Sequence, residues 1–231
     1  MTTMDMHRTR DGTRNPEQVD NALWKQAVRG DWSAPTLRRH LGIDLEAEHF
    51  RFDFAHSTYR NAAPGPFWSW KRLGRTSTIM ADGRIIHVGG EHGDAYDVNF
   101  CIYNDVVVEG PGQRLAMFLY PRAIFAPTDF HTATLVGDTI ILIGGLGYKD
   151  LRQVSVTQVH KLDTGTMRTE PIETTGKGPG WISRHTAEQV SASTILVRDG
   201  SVQTQKAYEK NMQVYLLDLA NNRWSVSDAF A

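Results

Sequence analysis

The 231-residue sequence predicts a mainly β chain: three copies of a four-stranded unit, with a short helical segment ahead of them. Three observations lead there. The segment FHTATLVGDTIILIGGLG, from Phe130, reads as an alternating strand, a tight Gly-Asp turn and an apolar strand ending in Gly-Gly. Related segments begin at Arg75 (RTSTIMADGRIIHVGGEHG) and at Arg184 (RHTAEQVSASTILVRDG). The spacing is nearly constant: His131 and His185 lie 54 residues apart (185 − 131), and Gly89-Gly90 precedes Gly144-Gly145 by 55 (144 − 89). Short alternating or apolar runs bounded by Gly-bearing turns mark strands rather than helices.

In chain order, residues 1–15 are polar and read as a disordered tail. Pro16 to Gly30 reads as a helix with Asn15 as its N-cap and Val19, Leu23, Ala27 and Val28 on one face. Ser33 to Leu41 reads as a second short helix, ended by Gly42. His49 to Ala55 places Phe50, Phe52 and Phe54 on one side, as in a strand with one buried face. Residues 16–66 are therefore read as a helical cap plus one strand, and 67–231 as the repeated strands. FWSW, from Phe67 to Trp70, resumes the aromatic alternation.

Each copy has a second half. The clearest is MQVYLLDLANNRWSV (212–226), a strand to Asp218, a turn at Asn221-Asn222 and a strand bearing Trp224. TQVHKLDTGTMRTEP (157–171) matches it, with Asp163 lying 55 residues before Asp218 (218 − 163). FCIYNDVVVEGPG (100–112) is the most divergent. The second and third copies align without a gap from His131, setting Ile141-Leu142-Ile143 over Ile195-Leu196-Val197.

By these Gly-Gly pairs, the His/Arg-led openings and Asp218…Trp224, residues 67–231 resemble the kelch family. The resemblance implies a β-propeller, in this case a partial one of about three blades. The third copy departs from the pattern, with Arg198-Asp199-Gly200 in place of Gly-Gly. Three blades are fewer than the roughly four to eight of a closed propeller. The expectation is a partial ring that the N-terminal segment caps, or one that a homodimer completes as three blades plus three. A degenerate fourth blade, from the strand at 50–55 and FWSW, is a third arrangement.

Blade topology sorts the candidate functional residues. Glu91, His92 and Asp94 follow the first Gly-Gly, and Tyr148 and Lys149 follow the second. Trp181, Arg184 and His185 lie where the chain enters the third unit, as Asp129 and His131 do for the second. All fall on one face, where the loops are longer, and such loops carry binding residues disproportionately. The eight residues Glu91, His92, Asp94, Tyr148, Lys149, Trp181, Arg184 and His185 are the expected partner-binding set. The tight turns at 81–83, 137–138, 164–165 and 221–222 fall on the other face and read as structural.

The chemistry is otherwise sparse. Lys plus Arg number 25 and Asp plus Glu 26, a balance unlike that of a general nucleic-acid or acidic-membrane binder. No apolar run reaches the ~18 residues of a membrane helix, and the first residues have no apolar leader segment. The one cysteine, Cys101, sits in an apolar alternating run and reads as core; its solitude fits a reducing, cytoplasmic setting. No nucleophile elbow, phosphate loop or metal-binding helix motif is present, so no catalytic residue, metal or cofactor is assigned. The sequence favours a module that presents its loop face to a protein partner, of which an inhibitor or immunity-type protein is one narrow version. The alternatives are a metal-dependent or sugar-acting enzyme on the same scaffold, and a structural subunit that closes a six-blade ring.

Overall fold

A computed structural model describes residues 7–42, 66–93 and 100–227. The strand expected at 50–55, and Asp94, lie outside the described residues. Three antiparallel blades follow one another along the chain, making a mainly β, kelch-like partial propeller with a short helical segment at its start.

The first strand is unexpected. β1 (Glu17–Val19) forms where the sequence predicts the start of a helix, and α1 (Ala22–Arg29) begins only after it. The cap is Asn21, not Asn15: its side chain accepts the N–H groups of Leu23 and Trp24. Ser33 caps α2 (Ala34–His40). Blade 1 then consists of β2 (Thr76–Ile79), β3 (Ile85–Val88), β6 (Val106–Gly110) and β7 (Arg114–Leu119), with β4 (Glu91–His92) and β5 (Cys101–Ile102) as a separate pair between β3 and β6. β1 joins this sheet outside β7, Glu17 opposite Leu119 and Val19 opposite Met117. The described part of the expected tail, residues 7–15, is tied down as well. Gly12 N–H donates to Tyr120 O at 2.9 Å, and Asn15 exchanges hydrogen bonds with the Thr169 backbone.

Blade 2 is β8 (Thr132–Val136), β9 (Thr139–Ile143), β10 (Val159–Asp163) and β11 (Thr169–Pro171). Next come β12 (Thr175–Gly176) and β13 (Ile182–Ser183). Blade 3 is β14 (Thr186–Ser191), β15 (Thr194–Arg198), β18 (Val214–Asp218) and β19 (Arg223–Ser227), with β12 added parallel to β19. β13 pairs with β16 (Ser201–Gln203) and β17 (Tyr208–Lys210) in a small sheet on the loop face.

Blades 1 and 2 each bury both β-residue parities, one face against a different neighbour from the other. On blade 1, Val107, Met117 and Leu119 pack under α1, α2 and the aromatic segment, in a cluster with Trp24, Leu37, Phe67, Trp68 and Trp70. FWSW is therefore part of the cap and not a blade strand: Trp24 stacks on Trp68 with centroids 5.0 Å apart. Ile86 and Val88 meet Ile140 and Leu142 between blades 1 and 2. Ile141 and Ile143 meet Ile195 and Val197 between blades 2 and 3. These faces correct the gapless alignment. A bulge between Gln189 and Ser191 inserts a residue into β14, so Ile195 corresponds to Ile140 rather than Ile141.

A buried ion pair locks the cap to blade 1. Both Arg72 guanidinium nitrogens reach Asp105, one at 2.8 Å, and Trp68 Nε1 donates to the same carboxylate at 2.8 Å. The Arg72 and Asp105 side chains are 1% and 5% exposed. Burial opposes the Arg72 charge, but Asp105 more than offsets it and raises the guanidinium pKa.

Candidate functional site

The blades join through matched backbone positions near the axis. Gly74, Phe130 and Arg184, one at the head of each inner strand, all have positive φ (64°, 51° and 56°). Phe130 N–H donates to Gly74 O at 2.8 Å, and Arg184 N–H donates to Phe130 O at 2.9 Å. His131 hydrogen-bonds Thr76 Oγ1 (2.9 Å) and His185 hydrogen-bonds Thr132 Oγ1 (3.0 Å), so each imidazole ties its own blade to the one before. Burial pushes their pKa values down, to about 3 for His131 and about 4 for His185, and both stay neutral at pH 7.

The Gly-Gly pairs serve the same joints. Gly90 N–H donates to Thr128 O, and Gly145 N–H donates to Ile182 O, both at 2.9 Å. A Cβ on Gly89 would stand 2.3 Å from Thr128 O, and one on Gly144 would stand 2.4 Å from Ile182 O. Both residues also have φ near +60°. Glycine is required for close approach and for conformation together.

Blade 3 differs at this very position. With the bulge counted, Asp199 (φ 61°) corresponds to Gly89 and Gly144. Its Cβ occupies the place that a following blade's carbonyl takes at the other two joints. Its carboxylate accepts a 3.1 Å hydrogen bond from Thr186, the residue matching Thr76 and Thr132. The group that would bind the next blade's histidine is satisfied within its own blade.

Burial divides the expected partner-binding residues. His92 is 8% exposed, and its Nδ1 is bonded to Tyr103 OH at 2.7 Å. Trp181 is 3% exposed and donates Nε1–H to Leu146 O at 3.0 Å. His185 is 6% exposed. Tyr148 is half-buried, accepts Ile102 N–H at 2.9 Å and sits edge-on to Phe100. These four brace loops: each makes a hydrogen bond inside the chain, while His92 Nε2 and His185 Nδ1 are buried without one. Lys149 and Arg184 are exposed, and Glu91 is half-exposed.

Glu91 and Arg184 belong to a cluster on the loop face to which all three blades contribute. Blade 1 supplies Leu73 and Glu91, joined by a mutual pair of backbone hydrogen bonds at 2.8 Å. Leu73 is 65% exposed, unusual for an apolar residue on such a face. Blade 2 supplies Asp129, fully buried, whose Oδ1 accepts Gly147 N–H at 2.7 Å while its other oxygen has no N–H donor. Asp129 interacts with the Glu91 carboxyl, and two neighbouring carboxyl groups favour holding one proton between them. Burial, and then the Asp129 charge, raise Glu91 to about 7, and burial raises Asp129 as well. Arg184 acts in the opposite direction on both groups. Its guanidinium lies 3.8 Å from the Phe130 ring centroid. Arg152 lies over Tyr208 at 5.2 Å and holds the Leu146 and Gly147 carbonyls.

The sequence pointed to the face and to Glu91 and Arg184. It gave no sign of Leu73, Arg152 or Tyr208, which lie outside the aligned motifs and arrive through the third dimension. Among the described residues no group of three or more His, Cys, Asp or Glu side chains is placed to hold a metal ion, and no helix is long and apolar enough to cross a membrane. Cys101 is buried, and burial pushes its thiol up to about 11.

The chain is 29% identical over 168 residues to "Kelch domain-containing protein 3" of Bos taurus, across 68% of this chain and 39% of that protein. No family model matches. The similarity supports a kelch-like assignment at most, in agreement with the three-blade architecture.

Proposed function

We propose that this chain is a protein-interaction scaffold whose partner meets this cluster on the loop face. The observation that carries the reading is convergence: Leu73 and Glu91 from blade 1 and Arg184 with Tyr208 from blade 3 lie around the buried Asp129 of blade 2. Exposed apolar and aromatic groups beside oriented charges, held on rigid strands, are what a protein-binding patch requires. The kelch-domain relative supports a scaffold role in general terms. The chain spans well under half of that protein, so the relative's partners are not carried over.

The partial ring is proposed to end within the chain. The N-terminal segment covers the outer edge and free face of blade 1, and Asp199 replaces the glycine that would receive a fourth blade. This favours a capped monomer over a six-blade homodimer. The test of the binding role is affinity capture from the native cell with the wild-type chain and with Arg184→Glu/Tyr208→Ala, both verified as folded. A specific protein retained by the wild type and lost by the variant is expected. Equal capture by both, or no specific partner, would remove the loop-face cluster as the binding surface.

A further inference from the structure

The turn face, which the sequence presents as purely structural, holds a cavity. A space of about 790 Å³ opens between α1, the β6–β7 hairpin and the turn joining β10 to β11. That volume lies within the usual range of ligand sites. Its floor is apolar, made by Val108, Ala116, Phe118 and Met167. Its lining carries Lys25, Arg29, Arg84 and Arg114 against the single carboxylate of Asp82, a local excess of three positive charges (4 − 1) on a chain whose net charge is −1.

The cations are not equally committed. Arg84 is held by Asp82 at 2.7 Å and by Thr164 O at 2.7 Å. Lys25 pairs with Asp20 at 2.9 Å. Arg29 and Arg114 are exposed, and the hydrogen bonds they make run to main-chain carbonyls, Gln113 O (3.4 Å) and Pro111 O (3.2 Å). Two guanidinium groups thus flank one turn with no carboxylate upon them among the described residues. A planar guanidinium is suited to bidentate capture of a carboxylate.

We propose that this cavity binds an acidic peptide segment with one apolar anchor, the anchor on the Val108–Phe118 floor and its flanking carboxylates on Arg29 and Arg114. Charge complementarity and the apolar floor select this occupant. The site is on the opposite face from the loop-face cluster and does not depend on it.

The test uses the full chain and three end-blocked fluorescent pentapeptides: four glutamates around a central phenylalanine, four glutamines around phenylalanine, and four glutamates around alanine. Anisotropy titration at low salt is expected to show saturable binding of the first below 1 mM, with each of the others weaker by about tenfold. Arg29→Gln/Arg114→Gln should weaken the first peptide by about tenfold while leaving the second unchanged. Ala116→Leu, which fills the floor, should weaken it without altering surface charge. Both variants are checked for wild-type circular dichroism, and the Gln pair, being on the surface, serves if the floor variant unfolds. Absence of binding by the first peptide, equal binding of the glutamine peptide, or indifference to the Gln pair would overturn the proposal.

Discussion

Replacing Gly144 by alanine tests the account of the blade joints quantitatively. The new Cβ would lie 2.4 Å from Ile182 O and 2.8 Å from His185 Cε1, at a φ of 66°. The left-handed conformation costs an alanine roughly 1–2 kcal/mol. Forcing the next blade away adds about 1–3 kcal/mol, and it also stretches the Gly145–Ile182 and His185–Thr132 hydrogen bonds. The expected loss is about 2–5 kcal/mol. Gly137 provides an internal control, since it has a φ of 60° but nothing within 4 Å of its added Cβ. Gly137→Ala should therefore cost only the conformational part, about 1–2 kcal/mol. Urea titration with both variants reads the difference as a change in midpoint at constant slope. If Gly144→Ala costs no more than Gly137→Ala, close inter-blade approach is not what the Gly-Gly pairs provide.

Two further perturbations follow from buried charge. Asp105→Ala strands the Arg72 guanidinium and should destabilise by about 3–5 kcal/mol, whereas Arg72→Met/Asp105→Leu should recover much of that loss in the same denaturation assay. Equal losses in both variants would show that packing around Trp68, and not the uncompensated charge, is responsible. Glu91 is raised from 4.5 to about 7, so the unfolded chain releases its proton before the folded chain does. Its contribution to stability is complete below pH 4.5 and declines as pH rises to about 7. Full linkage would amount to about 3 kcal/mol, reduced to about 1 kcal/mol by solvent screening of a half-exposed group. Glu91→Gln should therefore stabilise the protein at pH 8 relative to wild type and flatten this part of the pH–stability curve. A variant curve parallel to wild type from pH 4.5 to 7.5 would remove the shared-proton pair.

The repeat was legible because blade strands obey local rules. Period-two runs, turn glycines and the Gly-Gly pairs all recur along the chain, and three blades appear where three copies were read. Two features resisted reading for physical reasons. Glu17 to Val19 has the composition to begin a helix, but its backbone pairs with β7 from about a hundred residues away, and tertiary pairing overrides local propensity. The β14 bulge shifts the frame by one residue, which reverses the side-chain faces of β15 while leaving the letters of the alignment plausible. The site shows the same division. Glu91 and Arg184 stand in aligned loops, which is how the sequence places them on the loop face. Trp181 and His185 stand there too, but their polar atoms turn inward to Leu146 O and Thr132 Oγ1, an outcome that residue type alone does not disclose. Leu73, Tyr208 and the cationic cavity depend on neighbours remote in sequence.

The claim on which the rest depends is that the three-blade ring is ended at both sides by its own chain, by the N-terminal segment at blade 1 and by Asp199 at blade 3. Light scattering on the purified protein, coupled to size separation over a hundredfold range of loading (about 1–100 μM, where weak homodimers dissociate), tests it directly. The account predicts a mass near 26.0 kDa throughout. A stable mass of twice that value at every loading would contradict it and restore the six-blade ring.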